Sequence, residues 1–417
     1  MKSLRKFLIN LLILVWIASV LIGIVILRNF KAEYFSVITA FLSINFIYLL
    51  IKLVSSLTYQ DKVIKSKTKY TISAILPCYN EDKDAVLKAI DSLFQQSYPI
   101  QEILFIDDGS SNQEAFLAVK ELSMQSHLNN RLKAIRFEEN VGKKKVQQHG
   151  FEICQGEIFM LFDSDSEISS TVVEEMVGNF DSEKVGAVVG KIEPRNASKN
   201  FITRLQDILY TNAFQLGRRA QAHFGCVSVC SGALSMYRAG LVKANLDLFS
   251  KERFFGIKCI SGDDRLLTMI TLKEGYKTVY QESAVCRTDV PESLSKYFKQ
   301  QVRWAKSGYI LTLYSFKYLY KRPIAIIFQV LESYLWLFNL ILFIISVFMG
   351  FRFSLTTIIA AIFYSILVYY ISCIYYSKKQ PLIYMYGFIY NFFYGFILIA
   401  IRIYALLTIT KSKWSTR

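Results

Sequence analysis

Histidine is scarce in this chain: there are three in 417 residues, each isolated. That argues against a zinc centre built on imidazoles. The seven cysteines contain no C-x-x-C pair, so the spacing of zinc ribbons and dithiol redox sites is missing as well. Acidic residues are few beside basic ones, 33 against 49, leaving a formal charge of +16. The basic residues flank apolar runs and motifs and do not gather on one basic helix or nucleic-acid module, which argues against a nucleic-acid partner. They suit a surface resting on anionic lipid. There is no internal repeat and no low-complexity linker.

Apolar residues, by contrast, make up 53% of the chain, with 32 Phe and 26 Tyr, more than an ordinary soluble enzyme carries. They are concentrated in runs. Phe7–Leu27 is uncharged, Tyr34–Ile51 follows, and Ile324–Phe348, Ser354–Tyr376 and Leu382–Thr410 close the chain. Each is long enough for a ~30 Å hydrocarbon core. The first lacks a small-residue cleavage site and reads as a retained anchor. Lys2, Arg5 and Lys6 precede the first run, and Lys62, Lys65, Lys67 and Lys69 follow the second, which puts both flanks on the cytosolic side. Lys411, Lys413 and Arg417 place the tail there too, so the last run is expected to re-enter and not to cross. The organisation predicted is a membrane pair over 1–57, a cytosolic domain over 58–290, interfacial helices over 291–322, and membrane segments with a cytosolic tail over 323–417.

Between the runs, strand-like and helix-like segments alternate. Strands are predicted at Thr71–Leu76, Glu102–Ile106, Leu132–Phe137 and Glu157–Phe162, with helices at Asp82–Gln95, from Asn112 and from Lys143. This spacing implies an α/β domain with a mainly parallel sheet, binding its ligands beyond the carboxyl ends of the strands. Pro291–Tyr320 and Asn200–Ala222 have the composition of amphipathic helices at a membrane interface.

Several motifs fall at strand ends. Asp163-Ser164-Asp165 offers two carboxylates that can hold a hard divalent cation against a diphosphate; Asp merely ending a strand is the bland reading. Asp108 can accept a uracil N–H and Tyr79 can cover the base, although Asp107-Asp108-Gly109-Ser110 is also a good turn. Lys143 opens a helix, where its charge and the helix N-terminus favour phosphate oxygens. Asp264, in Gly262-Asp263-Asp264-Arg265, is either a helix cap or a general base. Gln300, Arg303 and Trp304 fit Q-x-x-R-W, against the reading of an interfacial helix with a snorkelling Arg. Cys226 and Cys230 read as buried, inert thiols.

Tyr79-Asn80-Glu81-Asp82, Asn140–Lys143, Asp163–Asp165, Arg195-Asn196, Thr203–Leu205, Val229–Gly232, Gly262–Arg265, Thr288–Pro291, Gln300–Trp304 and Trp414–Arg417 together resemble the single-chain bacterial hyaluronan synthases, which are processive, inverting family 2 glycosyltransferases. The resemblance implies a GT-A fold, Mg2+ or Mn2+, and alternating transfer from UDP-GlcNAc and UDP-GlcA to a nascent polysaccharide extruded across the plasma membrane. By the same resemblance Asp163 and Asp165 serve the metal, and Tyr79, Asp108, Lys143, Arg303, Trp414 and Arg417 serve UDP. Asp264 would be the base. Cys230, Ser231, Gly232, Gln300 and Trp304 would shape the acceptor site. The chain departs from the family pattern in Ala305 after the Trp, Ala233, Lys144-Lys145-Val146 and Ser415. A chitin-type synthase using only UDP-GlcNAc shares much of this framework. A lipid-phosphate sugar transferase does not need Q-x-x-R-W, and a non-catalytic transporter or scaffold has no need of Asp163, Asp165, Asp264 and Arg303 together.

Overall fold

The computed structural model describes residues 32–125, 131–251, 253–254, 257–258, 262–348 and 355–410. Phe7–Leu27 and Trp414–Arg417 lie outside them. The chain divides into two units: Ser55–Ser333 with Leu398–Arg417, and Met1–Val54 with Tyr334–Ile397. All described candidate site residues belong to the first.

That unit is built on an eight-stranded sheet. Its strands are β1 (Ile72–Cys78), β2 (Glu102–Asp107), β3 (Leu132–Arg136), β4 (Ile158–Phe162), β5 (Glu167–Ile168), β6 (Val185–Pro194), β7 (Leu234–Arg238) and β10 (Lys277–Thr288), in the order β3-β2-β1-β4-β7-β6-β10-β5. Two short strands, β8 (Arg253–Phe254) and β9 (Ile257–Lys258), pair only with each other. The pairs β1–β2, β1–β4, β2–β3 and β6–β10 are parallel. Both β2 and β4 are buried throughout, as strands covered on two faces must be, which is why they read as unbroken apolar runs.

Helices cover the sheet: α2 (Lys83–Phe94), α3 (Glu114–Ser123) and α4 (Lys143–Ile153) follow β1, β2 and β3. In α2 the residues Val86, Ala89, Ile90 and Leu93 are buried, the i, i+3, i+4, i+7 face of an amphipathic helix. Asp82 starts it by accepting the amides of Asp84 and Ala85, both at 3.0 Å.

The alternating pattern does not continue to the end of the sheet. Strand β7 enters antiparallel between β4 and β6. Its first residue, Leu234, pairs with Phe162, the last of β4. Reversal thus delivers the segment before β7, Cys230–Gly232, to the same edge as Asp163.

The two amphipathic segments are helical. Leu294–Tyr318 is one 25-residue helix, α7, capped by Ser293, which accepts the Lys296 amide at 3.3 Å. The other begins as α5 (Phe201–Thr211), widens into a π-helical stretch at Asn212–Arg218 and ends as a short helix, Arg219–His223. The apolar runs near the termini form α1 (Ala32–Thr58), α8 (Pro323–Phe348), α9 (Leu355–Ser372) and α10 (Phe388–Leu407). The run Leu382–Thr410 is broken, with Pro381–Tyr386 a separate short helix before Gly387. Counted over the described residues, no helix is long and apolar enough to cross a membrane.

Removing a core side chain from β4 tests this account. Leu161 is 0% exposed, and Leu161→Ala should cost about 2–5 kcal/mol. Leu117, on α3, is exposed, and its replacement by Ala should stay within about 0.5 kcal/mol. Thermal inactivation midpoints of the two variants provide the measurement; equal midpoints would contradict the assignment of β4 to the core.

Candidate active site

The carboxyl ends of β1, β2 and β4 meet at one edge, and side chains knit them together. Asn80, just past β1, takes φ 54°, which Asn tolerates better than most residues. Its amide donates to Ser110 Oγ at 2.8 Å, and its Oδ1 accepts the Ser111 amide at 2.9 Å. Ser110 Oγ in turn donates to Asp107, whose other oxygen pairs with Arg136 Nε at 3.0 Å.

Asp108 holds the neighbouring loop. Its two oxygens accept the amides of Val141 at 2.8 Å and Gly142 at 3.0 Å. Burial raises its carboxyl above the ordinary value, and the two amides oppose the shift. Gly109 permits this closeness. It sits at φ +68°, and a Cβ there would stand 2.6 Å from the Glu139 carbonyl carbon. Gly142, at φ +92°, then turns the chain into α4.

Lys143, the first residue of α4, is the product of that loop. Its Nζ donates to Asp163 Oδ1 at 2.6 Å. Burial alone would lower its pKa. The charges of Asp163, Asp263 and Asp264 outweigh burial and hold it above the ordinary lysine value. The lysine therefore joins the end of β4 to the start of α6 (Asp263–Lys273). Gly232 lies against it: a Cβ on this glycine would be 3.4 Å from Lys143 Nζ.

Asp264 is half-buried, and one of its oxygens accepts the Arg265 amide at 2.7 Å. Burial first, and the adjacent Asp263 charge second, raise its carboxyl pKa; Arg265 and Lys143 pull the other way. Thr268 bridges this residue's backbone to the loop before β7. Its hydroxyl donates to the Asp264 carbonyl at 2.7 Å and accepts the Cys230 amide at 2.8 Å. Burial pushes the thiols of Cys226 and Cys230 up to about 12, so both are neutral, in keeping with inert thiols. Asp165 is 7% exposed. Its charge, with that of Asp163, is felt at the Cys286 thiol.

Helix α7 approaches from the other side. Gly262, before α6, takes φ +91°, which favours glycine, and packs against α7, where a Cβ would stand 3.0 Å from Ser307 Cβ and would displace its hydroxyl. Trp304 is 39% exposed and its ring lies 6.3 Å from that of Tyr210 on α5. Gln300 is half-buried, and its Oε1 is buried without a hydrogen-bond partner. Arg303 and Tyr79 are half-buried on α7 and just past β1. Lys143, Asp163, Asp264, Cys230 and Gly232 thus form one cluster, with Asp108 supporting it. Ser231 lies between two of them in sequence. Trp414 and Arg417 fall outside the described residues.

Sequence reasoning gave no role to Asp263 or Thr268. Thr268 stands four residues after Asp264, one helical turn on, and that spacing was the available signal. Two matched motifs turn out to clasp each other. Arg195 pairs with Asp289 at 3.1 and 2.8 Å and with Glu167, while Asn196 exchanges hydrogen bonds with the Val290 backbone at 2.9 and 3.0 Å.

Comparison with known proteins bears on the fold and the family. Residues 73–246 match the model of glycosyl transferase family 2. A mannosyltransferase from Pyrobaculum calidifontis, solved in complex with GDP-Man and Mn2+, superposes with a TM-score of 0.60 at 18% identity, over 89% of this chain and 97% of that one. The protein is a glycosyltransferase with a GT-A type α/β fold. A hyaluronan synthase from Streptococcus pyogenes is 34% identical over 401 residues, 95% of each chain. An N-acetylglucosaminyltransferase from Neorhizobium galegae is 36% identical over 58% of this chain and 56% of its own. The chain belongs to the hyaluronan synthase family.

Gly109→Ala tests whether the Asp108 loop positions Lys143. Strain at positive φ and the clash with Glu139 should together cost about 1–3 kcal/mol, yet transferase activity should fall by about ten-fold or more because the loop moves. Activity per folded protein, with folding followed by thermal inactivation, separates the two effects. Full activity at reduced stability would show that the loop does not govern Lys143.

Proposed function

We propose that the protein polymerises UDP-GlcNAc and UDP-GlcA into hyaluronan, as a processive, inverting synthase, and extrudes the chain across the plasma membrane. One observation carries the chemical part: a single ammonium, Lys143, draws the strand-end carboxylate Asp163 and the perturbed carboxylate Asp264 to one place. The near full-length likeness to hyaluronan synthases supports the sugar pair, since the likeness to the N-acetylglucosaminyltransferase stops short.

In this reading Asp264 accepts the proton of the acceptor hydroxyl as that oxygen attacks the anomeric carbon, and UDP leaves from the opposite face. A carboxylate whose pKa is raised is better matched to this task than an ordinary Asp. Lys143 faces the diphosphate, and Arg303 offers it a planar two-pronged contact. Tyr79 covers the uracil. Asp108 keeps lone pairs for the uracil N–H beyond the two loop amides.

The donor set at Asp163 and Asp165 fits a divalent cation, Mg2+ or Mn2+. Asp163 Oδ1 is bonded to Lys143 at 2.6 Å, so the ion would take the other carboxylate oxygen or displace the ammonium towards the diphosphate. Among the described residues no three His, Cys, Asp or Glu side chains form a cage, so diphosphate oxygens and water would complete the coordination. The ion would neutralise charge developing on the leaving diphosphate. Cys230, Ser231, Gly232, Gln300 and Trp304 line the acceptor side, the last as a stacking face for sugar. Trp414 and Arg417 close a terminal segment over UDP. The apolar runs of the sequence and the Lys and Arg residues flanking them support a multi-pass protein with its catalytic domain and both termini in the cytosol.

Polymer should form only when both UDP-sugars are supplied; long polymer from UDP-GlcNAc alone would establish the chitin-type reaction instead. Asp264→Asn should retain UDP binding and lose turnover by roughly 10²–10⁴-fold. The pH dependence has a definite sign. Because the Asp264 pKa is raised, its reactive carboxylate is lost as pH falls through that raised value, so the acid limb of kcat/KM lies above the ordinary Asp range. Asp263→Asn removes the like charge and should move that limb to lower pH. A limb unmoved by Asp263→Asn would detach it from Asp264.

A further inference from the structure

Two guanidinium groups near the start of α6 make no ion pair with a carboxylate among the described residues. Arg265 follows the base on α6, and Arg218 ends the π-helical stretch Asn212–Arg218. Both side chains are half-buried. The Arg265 pKa is lowered first by burial; the Asp264 charge opposes this, and the like charge of Arg218 adds to it. Arg218 is also felt at the Cys230 thiol, on the other side of the Thr268 bridge. Contacts join the two cations: Arg218 bonds Gln221, Gln221 bonds Glu332, and the neighbouring Ser333 packs with Arg265 around Gly308, where a Cβ would be 3.6 Å from Ser333 Oγ and 4.0 Å from Arg265 Cζ.

Protein partners satisfy this pair poorly. Arg218 Nη1 donates to the neutral Gln221 Oε1 at 3.2 Å. That oxygen also serves the amide and hydroxyl of Ser228, at 3.0 and 3.2 Å. Arg218 Nε is buried without a partner. Glu332 is the nearby anion felt at Arg265, but Gln221 Nε2 donates to it at 2.9 Å, so a neutral amide stands between Glu332 and Arg218. Among the described residues neither guanidinium has a carboxylate within ion-pair distance. Half-buried cations so placed are costly unless an anion joins them.

The surroundings indicate which anion. Arg218 stacks over the Phe214 ring at 5.9 Å, Phe214 lies 6.3 Å from Tyr210, and Tyr210 lies 6.3 Å from Trp304. On the other flank Arg265 lies under α7, where a Cβ on Gly308 would be 4.0 Å from its Cζ. The pair is thus bounded by α5, α6 and α7, and a run of aromatic rings leads from Arg218 to Trp304. A π-helical widening is rare and concentrates at functional positions; here it ends on Arg218. Guanidinium groups match a carboxylate with two parallel hydrogen bonds.

We propose that Arg218 and Arg265 form a subsite for the carboxylate of a uronic-acid residue at or next to the acceptor end of the growing chain. This rests on the proposed hyaluronan reading and extends it to how the acceptor is selected. An uncharged N-acetylglucosamine chain would leave both cations unanswered, so the subsite disfavours it.

The test uses the full-length protein in lipid nanodiscs and two probes of equal length: a uronic-acid-ended hyaluronan oligosaccharide and an uncharged N-acetylglucosamine oligosaccharide. Wild type should bind the charged probe about ten-fold more tightly or better, the scale of a charge-assisted two-pronged contact. Arg218→Gln should abolish the preference while leaving the uncharged probe within about two-fold, and Arg218→Lys should keep part of it. No preference in wild type, a preference that survives Arg218→Gln, or an equal loss for both probes would overturn the subsite, the last by showing a packing role. Polymerisation from the paired donors is measured alongside. Failure of wild type to use UDP-GlcA overturns the hyaluronan reading, whereas normal polymer with an unchanged preference in Arg218→Gln overturns the subsite alone.

Discussion

The site depends on one ammonium among three carboxylates. Lys143 is bonded to Asp163 at 2.6 Å and lies within the fields of Asp263 and Asp264. Each of these segments alone would place like charges together or bury an unpaired one, and either is costly. Sharing the lysine makes the assembly of β4, α4 and α6 self-consistent. It also tunes Asp264. Burial and Asp263 raise the Asp264 pKa, and Lys143, with Arg265, limits the rise. The residue that holds the site together therefore sets how readily Asp264 ionises.

Lys143 can do this only because the loop before it is fixed. Asp108 spends both oxygens on the amides of Val141 and Gly142, and Gly109 lets residues 139–140 come close enough. The carboxylate expected to read a base is thus also a structural clamp, and its effect reaches the Asp163 cluster through the backbone. The chain Asp108–loop–Lys143–Asp163 links the ends of β2 and β4, although β1 lies between them in the sheet.

Strands β1 to β4 and the helices between them were legible in the sequence, because buried parallel strands are unbroken apolar runs and their helices show a 3.6-residue period. Strand β7 was not. Its five residues, Leu234–Arg238, carry no mark of direction, and direction is set by pairing with β4 and β6. The π-helical stretch was equally silent, since its side chains suit an α-helix and its packing against β10, as of Phe214 on Tyr280, is a tertiary contact. Among site residues, Asp163, Lys143 and Asp264 were legible from strand-end and helix-start positions. Asp263 and Thr268 were missed because the first looked like the lesser half of an acidic pair and the second like an ordinary helix residue. The Arg195-Asn196 and Thr288–Pro291 motifs were legible as motifs but not as partners, since nothing in sequence spacing joins positions so far apart.

The reason for glycine at 262 follows from the same packing. Gly262 takes φ +91° and a Cβ there would press on Ser307 and Leu311 at 3.0 and 3.3 Å, so α6 begins in direct contact with α7. Gln300, Arg303 and Trp304 lie on α7, and Asp264 lies two residues after Gly262. With no side chain between them, a shift of α7 is carried into the N-terminus of α6 by steric contact. The helix that carries Gln300, Arg303 and Trp304 and the helix that begins with Asp263-Asp264 are therefore held in register, and a side chain at 262 would press directly on Ser307 and disturb that contact.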